Sequence, residues 1–259
     1  MNEILSVALR GIHHDMARLD AVAMNLANAQ TAGFKREVVL AAPFAQTLAA
    51  LQARSAADDA APAAAAAATT RIDASAGTLK ATGQSLDLAL TGPGWFEVMT
   101  DHGLAYTRQG NFQLDAQGRL VTAQGHRVMG TSGEIQLAHG MPVIDAQGRV
   151  FEGALPGADA ASLRGEPIAQ LKVLHFSPDA QLQRLGAGLF LANSEAVTPD
   201  ASLPATELRQ GYLENANVSS MHEMVELMQT VRHVESLQKV ALAYDEMLGG
   251  AIRRLGESS

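Results

Sequence analysis

The chain has 259 residues, of which 47% are hydrophobic and 18% are charged, and it contains no cysteine. The absence of cysteine excludes a disulfide scaffold, a thiolate metal centre and a cysteine nucleophile. Nineteen Lys and Arg against 27 Asp and Glu give a net charge of -8, which disfavours nucleic acid and anionic membranes as partners. Apolar runs are too short for a membrane span and no cleavable signal is evident, so we expect no direct membrane insertion.

The first thirty residues carry apolar side chains at helical spacing and no proline. Steps of three and four residues separate them, which is a heptad pattern and predicts a helix from about Glu3 to Asn28. Gly33 can adopt the positive φ that turns a chain away past the end of a helix. The apolar positions are Leu5, Leu9, Ile12, Met16, Leu19, Ala23 and Leu26.

A second helix is predicted at the other end of the chain. Ser220 and Glu223 have the spacing of a capping box, so we expect the helix to begin there. One such stripe is typical of a helix packed on its own domain, but two at opposite chain ends favour a coiled-coil-like stem. The second stripe contains Met224, Leu227, Val231, Val234, Leu237, Ala241, Tyr244, Leu248, Ile252 and Leu255.

Between the helices the pattern changes twice. An Ala-rich connector is predicted at 36–71, because it has few large apolar side chains. Residues 72–210 are rich in glycine and β-formers in short alternating runs, which predicts a mostly antiparallel β domain. The expected fold class is therefore α+β, with a central β domain between helical stem segments at 1–35 and 211–259. The predicted strands are 86–90, 95–99, 105–107, 111–114, 120–122, 170–176 and 189–192.

One pentapeptide occurs twice, as Asp115-Ala-Gln-Gly-Arg119 and Asp145-Ala-Gln-Gly-Arg149. Asp at the first turn position can hold the backbone, and Gly at the fourth accepts a positive φ. Both copies are therefore predicted to be hairpin tips. This turn chemistry is common, so the repeat by itself does not establish a duplicated domain.

Motifs that carry chemistry are not found. His222-Glu-Met-Val-Glu226 lacks the second histidine of a zinc helix, and Pro93 removes an N–H donor that a phosphate-binding turn at Gly92–Gly94 would need. A nucleophile elbow and a Walker loop are also missing. The sequence predicts no catalytic, cofactor-binding or metal site. The alternative, an enzyme or sugar-binding module flanked by helices, would need polar groups converging in a pocket, and no motif indicates one.

Three stretches resemble one family. Asn25-Leu-Ala-Asn-Ala-Gln-Thr-Ala-Gly-Phe-Lys35 closely resembles the N-terminal signature of the flagellar rod, hook and hook-associated axial proteins. Residues 77–115, which include Gly92-Pro-Gly-Trp-Phe96, look like the β-domain motif of the hook and rod proteins of that family. Gln210-Gly-Tyr-Leu-Glu-Asn-Ala-Asn-Val218 resembles the turn before its C-terminal helix. The three occur in the family's order.

The resemblance implies a structural subunit of the bacterial flagellar basal-body rod, without enzyme activity or cofactors, which transmits torque to the hook. Implied partners are homotypic neighbours, other rod and hook proteins in a helical assembly, and the flagellar type III export apparatus. Export through that apparatus needs no cleaved signal peptide. The compact segment 130–150 looks more like the proximal than the distal rod protein. The distal rod, or another hook or hook-associated protein, is the alternative.

The assembly site is expected on the terminal helices, which in this family form the inner tube. A two-helix pair leaves apolar surface in water that neighbouring subunits can cover, although an internal coiled pair within a monomer stays an alternative. We expect Asn25 and Asn28 to cap or cross-link the helix end. The candidate subunit-assembly residues are Leu5, Ile12, Leu19, Asn25, Leu26, Asn28, Gly33, Phe34, Met224, Leu227, Val231, Val234 and Leu248.

Overall fold

The computed structural model describes the backbone of residues 3–40, 69–138, 142–152, 166–176, 180, 182–186, 188–192 and 206–257. Side chains are described for the same residues except 3–8, 69, 245, 248, 251, 252 and 254–257. The predicted connector lies mostly outside the described residues. The chain divides into two compact units. The first comprises Met1–Ala27, Glu37–Arg71 and Ser219–Ser259, and the second Asn28–Arg36 and Ile72–Val218. The domain boundaries predicted from the sequence stay a prediction.

The first unit contains both helices. Helix α1 (Glu3–Ala27) has 25 residues and α2 (Ser220–Glu257) has 38. α1 contacts α2 and strand β1 (Glu37–Leu40), which pairs with β2 (Thr69–Ile72) in a two-stranded sheet. The helix expected to begin at Ser220 does so.

The predicted coiled-coil-like stem is wrong. A coiled coil buries its apolar heptad positions against the partner helix. Here Leu9 and Met16 of α1 are 49% and 55% exposed, and Met224 and Val231 of α2 are 51% and 37% exposed. The buried positions are instead small or polar, namely Asp15, Ala21, Val22 and Asn25 on α1 with Glu223 and Thr230 on α2. Heptad spacing identifies the apolar face of a helix but not what covers it, and these helices meet along a different line.

The second unit consists of short strands. They are β3 (Leu79–Ala81), β4 (Leu88–Thr91), β5 (Trp95–Thr100), β6 (Gly103–Thr107), β7 (Gln113–Leu114), β8 (Leu120–Val121), β9 (Arg127–Gly130), β10 (Gly133–Glu134), β11 (Val143–Ile144), β12 (Arg149–Phe151), β13 (Ala169–Gln170), β14 (Val173–Leu174), β15 (Leu182–Gly186), β16 (Leu189–Ala192), β17 (Glu207–Gln210) and β18 (Tyr212–Glu214).

The main sheet has the strand order β15-β16-β6-β5-β9-β8-β7, with β10 on β9 and β14 on β5. Smaller sheets are β11-β12-β13, β17-β4 and β18-β3. The pairings described are antiparallel, as the sequence predicts for this region. Because β5 lies between β6 and β9 and is buried along almost its whole length, it is the centre of the sheet.

The core of this unit is built from alternating side chains of these strands. Phe96 and Phe112 meet edge to face with ring centroids 5.2 Å apart, the arrangement that aromatic quadrupoles favour. Both rings belong to one cluster of buried side chains, whose aliphatic members include Leu88, Leu90, Val98, Leu120, Val128, Ile135, Ile144, Val150, Leu171, Leu189 and Leu208. Burial of this apolar surface stabilises the unit, which has no disulfide bonds because the chain contains no cysteine.

The two copies of the repeated pentapeptide are hairpin tips, as predicted. Asp115 lies between the paired strands β7 and β8, and Asp145 between β11 and β12. Each carboxylate accepts a backbone N–H two residues on, a second backbone N–H four residues on, and the arginine Nε at 2.7 and 2.6 Å respectively. The segments facing the two turns also match, since the N–H of Leu137 donates to the Gly118 carbonyl and that of Leu171 to the Gly148 carbonyl.

These equivalent turns allow a matched pair of variants. Asp145 is 4% exposed, whereas the Asp115 side chain is 19% exposed. We expect Asp145→Asn to cost about 1–3 kcal/mol, because it weakens a buried charge-assisted hydrogen bond. Asp115→Asn should cost less, because water competes for the same bonds. Urea denaturation of both variants measures the difference, and equal losses would contradict it.

The contribution of the ionised Asp115 carboxylate to stability can be measured as a function of pH. The backbone N–H of Arg119 is the main cause that holds the pKa of Asp115 below its usual 3.8. A carboxylate with a lowered pKa adds stability above its usual pKa, and that stability is lost as pH falls through the folded-state value. The stability difference between the protein and Asp115→Asn should therefore narrow below about pH 3.8. A difference that stays constant down to pH 2 would contradict this assignment.

Candidate assembly site

Contacts between α1 and α2 define one antiparallel register. Asn25 Nδ2 donates to Glu223 Oε2 at 3.2 Å, and Asp15 Oδ2 lies 2.5 Å from His233 Nδ1. Ten residues separate Asn25 from Asp15 on α1, and ten separate Glu223 from His233 on α2 (25 − 15 = 233 − 223). Gly11 continues the line, because a Cβ there would lie 3.0 Å from Leu237 Cδ1.

Asn25 forms hydrogen bonds to two other segments at this interface. Its side chain is fully buried, as is Glu223. Oδ1 accepts the backbone N–H of Glu37 at 2.9 Å, and Nδ2 donates to the Glu37 carbonyl at 2.9 Å as well as to Glu223. One amide thus joins α1, the start of β1 and the first turn of α2. Asparagine fits because its amide offers both an acceptor and donors, which neither an apolar side chain nor a carboxylate does.

An ion pair lies one turn along the interface. The Arg18 guanidinium donates through Nη2 to both carboxylate oxygens of Glu226 at 3.0 Å and through Nε at 3.2 Å. The two side chains are 38% and 22% exposed. Solvent screening at this exposure limits the stabilisation to well under about 1 kcal/mol, so the pair contributes more to orientation than to stability.

The second half of the signature, Gly33, Phe34 and Lys35, is buried in the second unit. The Gly33 N–H donates to the Glu214 carbonyl at 2.7 Å. Its φ is +66°, and a Cβ would overlap the carbonyl group of Arg108, so no other residue fits there. The Phe34 ring is 2% exposed and lies under the Arg184 guanidinium, 4.4 Å from its centroid.

Lys35 ends in a buried charge cluster. Its Nζ donates to Glu214 Oε1 at 2.7 Å and to the Ser75 carbonyl at 2.6 Å. Arg108 Nη1 lies 3.3 Å from Glu214 Oε2, and its Nη2 donates to the Gly92 carbonyl at 2.6 Å. The three charged side chains are 1–2% exposed. Burial is the largest influence on both cations and lowers the pKa of Lys35 and of Arg108, while Glu214 opposes the shift.

The predicted assembly residues fall into four groups by exposure. Met224 and Val231 are exposed; Ile12, Leu19, Leu26, Asn28, Leu227 and Val234 are half-buried; Asn25, Gly33 and Phe34 are buried; the side chains of Leu5 and Leu248 lie outside the described residues. Asn28 accepts from the Thr31 hydroxyl at 3.3 Å. The assignment of the whole set to subunit assembly stays a prediction.

Sequence reasoning missed the partners of the signature. Glu214 ends β18 and Arg108 directly follows β6, each among uncharged sequence neighbours, and such isolated charges are the signal that could have suggested a buried pair. Glu223 was interpreted as a capping residue, but its carboxylate accepts from Asn25. Spacing along one chain does not reveal pairings across separations of 179 and 198 residues.

Among the residues that the structure describes, no group of three or more His, Asp or Glu side chains is placed to hold a metal ion. No helix in this part of the chain combines the length and the hydropathy that crossing a bilayer requires.

Two family models match the chain. The model described as the flagellar hook protein FlgE/F/G D1 domain matches residues 89–151. The one described as the flagellar basal body rod FlgEFG protein C-terminal matches residues 209–254. The first covers the central strands and Arg108, and the second covers Glu214, Glu223 and most of α2.

Relatives that match along almost the whole chain are named flagellar basal-body rod proteins. The flagellar basal-body rod protein FlgG of Buchnera aphidicola subsp. Schizaphis graminum is 30% identical over 94% of this chain and 96% of its own. FlgG of Bacillus subtilis is 27% identical over 93% and 94% of the two chains. The rod protein FlgF of Escherichia coli is 27% identical over the full length of both. With the buried signature and the antiparallel β unit, these matches confirm the resemblance predicted from the sequence: the chain belongs to the flagellar basal-body rod protein family.

Proposed function

We propose that this protein is a structural, non-catalytic subunit of the flagellar basal-body rod and that it enters the rod through the apolar positions its terminal helices leave exposed. The observation that carries this proposal is the likeness to rod proteins along nearly the whole chain, both helices included. The helices supply the apolar surface that such an assembly needs.

The exposed apolar side chains lie on both helices. Leu9 and Met16 on α1, with Met224 and Val231 on α2, are each more than one third exposed. Covering such surface contributes about 25 cal/mol per Å². If the α1 face of one subunit meets a different face on the next, the contact is heterologous and repeats as an open helical filament. The proposed neighbours are copies of this chain and other rod and hook proteins.

Within the subunit, we assign two different roles to the predicted assembly residues. Contacts within their own units are made by Asn25, Gly33 and Phe34, so these residues stabilise the folded subunit rather than contact its neighbours. The apolar positions, including Ile12, Leu19, Leu26, Leu227 and Val234, form the proposed inner tube together with Leu5 and Leu248.

The level in the rod and the route to it belong to the same proposal. The resemblance of the sequence 130–150 to the proximal rod protein favours the proximal rod, with the distal rod or another hook or hook-associated protein as the alternative. We propose that the subunit reaches the rod through the flagellar type III export apparatus without a cleaved signal peptide. In the assembled rod, it would transmit torque to the hook.

Charge substitutions on α2 test the proposed surface. Met224→Glu and Val231→Glu should block incorporation into basal bodies, because each would bury an unpaired carboxylate between subunits. Gln229→Glu is the matched control, since it adds the same charge at an exposed position of the same helix. Swimming and the amount of subunit in purified basal bodies are the measurements.

The folded monomer should tolerate these changes. We expect all three variants to keep the unfolding free energy of the parent within about 0.5 kcal/mol, because the substituted side chains are exposed. Normal incorporation of both Met224→Glu and Val231→Glu would refute the proposed surface. A block by Gln229→Glu as well would show that charge anywhere on α2 is harmful and would refute the specific face.

A further inference from the structure

The segment 214–217 provides hydrogen-bond acceptors for backbone amides from two distant stretches of the second unit. The Gly33 N–H donates to the Glu214 carbonyl at 2.7 Å, and the Arg36 N–H to Asn217 Oδ1 at 2.7 Å. The Gly77 N–H donates to Glu214 Oε1 at 2.8 Å. These amides therefore cannot form their native bonds before residues 214–217 are in place.

The buried charges of Lys35 and Arg108 make the docking of residues 33–36 depend further on Glu214. Lys35 and Arg108 are both buried, and Glu214 is the carboxylate that both contact. Bringing Lys35 beside Arg108 without Glu214 would bury two unpaired cations, which is strongly unfavourable. Without Glu214, early docking of the N-terminal stretch would gain the contacts of Phe34 and the Lys35 carbonyl with Arg184, but at the cost of these buried cations.

Close backbone packing adds a steric condition. A Cβ on Gly77 would overlap the carbonyl oxygen of Asn215, and one on Gly33 would overlap Arg108. The Asn217 side chain also donates to the carbonyls of Asp73 and Ser75 at 2.9 and 3.1 Å. The stretches around residues 33, 75 and 215 fit against one another as a single closely packed group.

We propose that residues 212–217, here called the clasp, hold residues 33–36 in the second unit. Residues 33–36 then dock on this unit only after residues 212–217 have docked. Glu214 is the positioning residue of the clasp. Its partner Lys35 lies 179 residues away, and closing so long a loop is entropically costly and slow. A chain that lacks residues 212–217 would keep residues 33–36 undocked. Docked residues 33–36 therefore indicate a subunit that contains the clasp. This inference does not depend on where the subunit assembles.

Pulsed hydrogen exchange during refolding of the full chain tests the proposed order directly. The amides of β5 and β6 should become protected first, because they form local antiparallel pairs. The amides of Gly33, Arg36 and Gly77 should become protected in one later phase, together with those of residues 212–217. Protection of residues 33–36 before 212–217 would overturn the proposal, and this experiment requires no substitution.

Native-state exchange tests the role of the Glu214 charge. In full-length Glu214→Gln, we expect the Gly33, Arg36 and Gly77 amides to exchange on the order of 100-fold faster, with those of β5 unchanged. Glu207→Gln, an exposed glutamate on β17, is the matched control and should exchange like the parent. Unchanged exchange at all three amides, or an equal increase throughout β5, would overturn the proposal, because the cluster would then be dispensable or part of one global unfolding step.

Discussion

Glu214→Met should destabilise the protein by about 3–5 kcal/mol, whereas Lys35→Met should cost no more than about 1.5 kcal/mol. The two variants place the same side chain on either side of one buried ion pair. Their expected costs differ because the cluster holds two cations and one carboxylate. Removing the carboxylate leaves Lys35 and Arg108 buried without it, while removing Lys35 leaves a one-to-one pair of Arg108 and Glu214.

The remaining polar groups support the small cost of Lys35→Met. The Ser75 carbonyl would lose Lys35 as a donor but keep Asn217 Nδ2 at 3.1 Å. Glu214 would still accept from Arg108 and from the Gly77 N–H. The measurement is chemical denaturation followed by the fluorescence of Trp95, which lies in this unit. A loss for Lys35→Met equal to that for Glu214→Met would contradict the account.

The same pair predicts a pH dependence. Because burial lowers the pKa of Lys35 below its usual 10.5 despite the attraction of Glu214, the unfolded chain binds this proton more tightly than the folded one. Stability then rises with pH between the folded-state pKa and 10.5. The protein should gain stability relative to Lys35→Met over that alkaline interval. A relative loss over the same interval would contradict the assignment.

Asn25→Leu should destabilise the first unit by about 3–5 kcal/mol, although it adds apolar volume to a buried site. The substitution removes two part-buried bonds to the Glu37 backbone and one buried bond to Glu223, and losing a hydrogen bond at such a site costs about 1–3 kcal/mol. The helical circular dichroism signal during urea denaturation reports the loss, because both helices lie in this unit.

Asn28→Leu is the matched control for this second prediction. Asn28 is half-buried near the same end of α1, and its Oδ1 accepts from the Thr31 hydroxyl at 3.3 Å. We expect a smaller cost than for Asn25→Leu, because the Asn28 side chain is half-buried whereas that of Asn25 is fully buried. If Asn28→Leu proved as costly as Asn25→Leu, or if Asn25→Leu were neutral, the interface would not depend on the Asn25 bridge.

Local sequence patterns predicted the local parts of the fold. β5 was expected at 95–99 and spans Trp95–Thr100, and the turns at Asp115 and Asp145 are hairpin tips. Local patterns did not predict β17 or β15, because Glu207–Gln210 and Leu182–Gly186 mix charged and apolar residues without a clear apolar run. These strands form because a partner strand is already available, which sequence periodicity does not report.

The candidate site was predictable in its positions but not in its contacts. The signature residues could be identified from the resemblance, yet Asn25 and Lys35 each contact a residue nearly 200 positions away. The heptad pattern likewise identified apolar positions at Leu9, Met16, Met224 and Val231, but the predicted coiled-coil-like pairing of the helices does not bury them. Buried polar contacts such as those of Asn25 and Asp15 contribute to the contact between the helices, and Leu9, Met16, Met224 and Val231 stay exposed.

The central claim, that this chain is a structural subunit of the rod, is tested most directly by electron cryo-microscopy of purified basal bodies. A small tag inserted in the exposed turn at residues 123–125 would mark the subunit without changing the sequence of either helix. We predict tag density around the rod between the membrane ring and the hook, in the proximal part. Density along the hook, or tagged protein that is absent from basal bodies in swimming cells, would contradict the account.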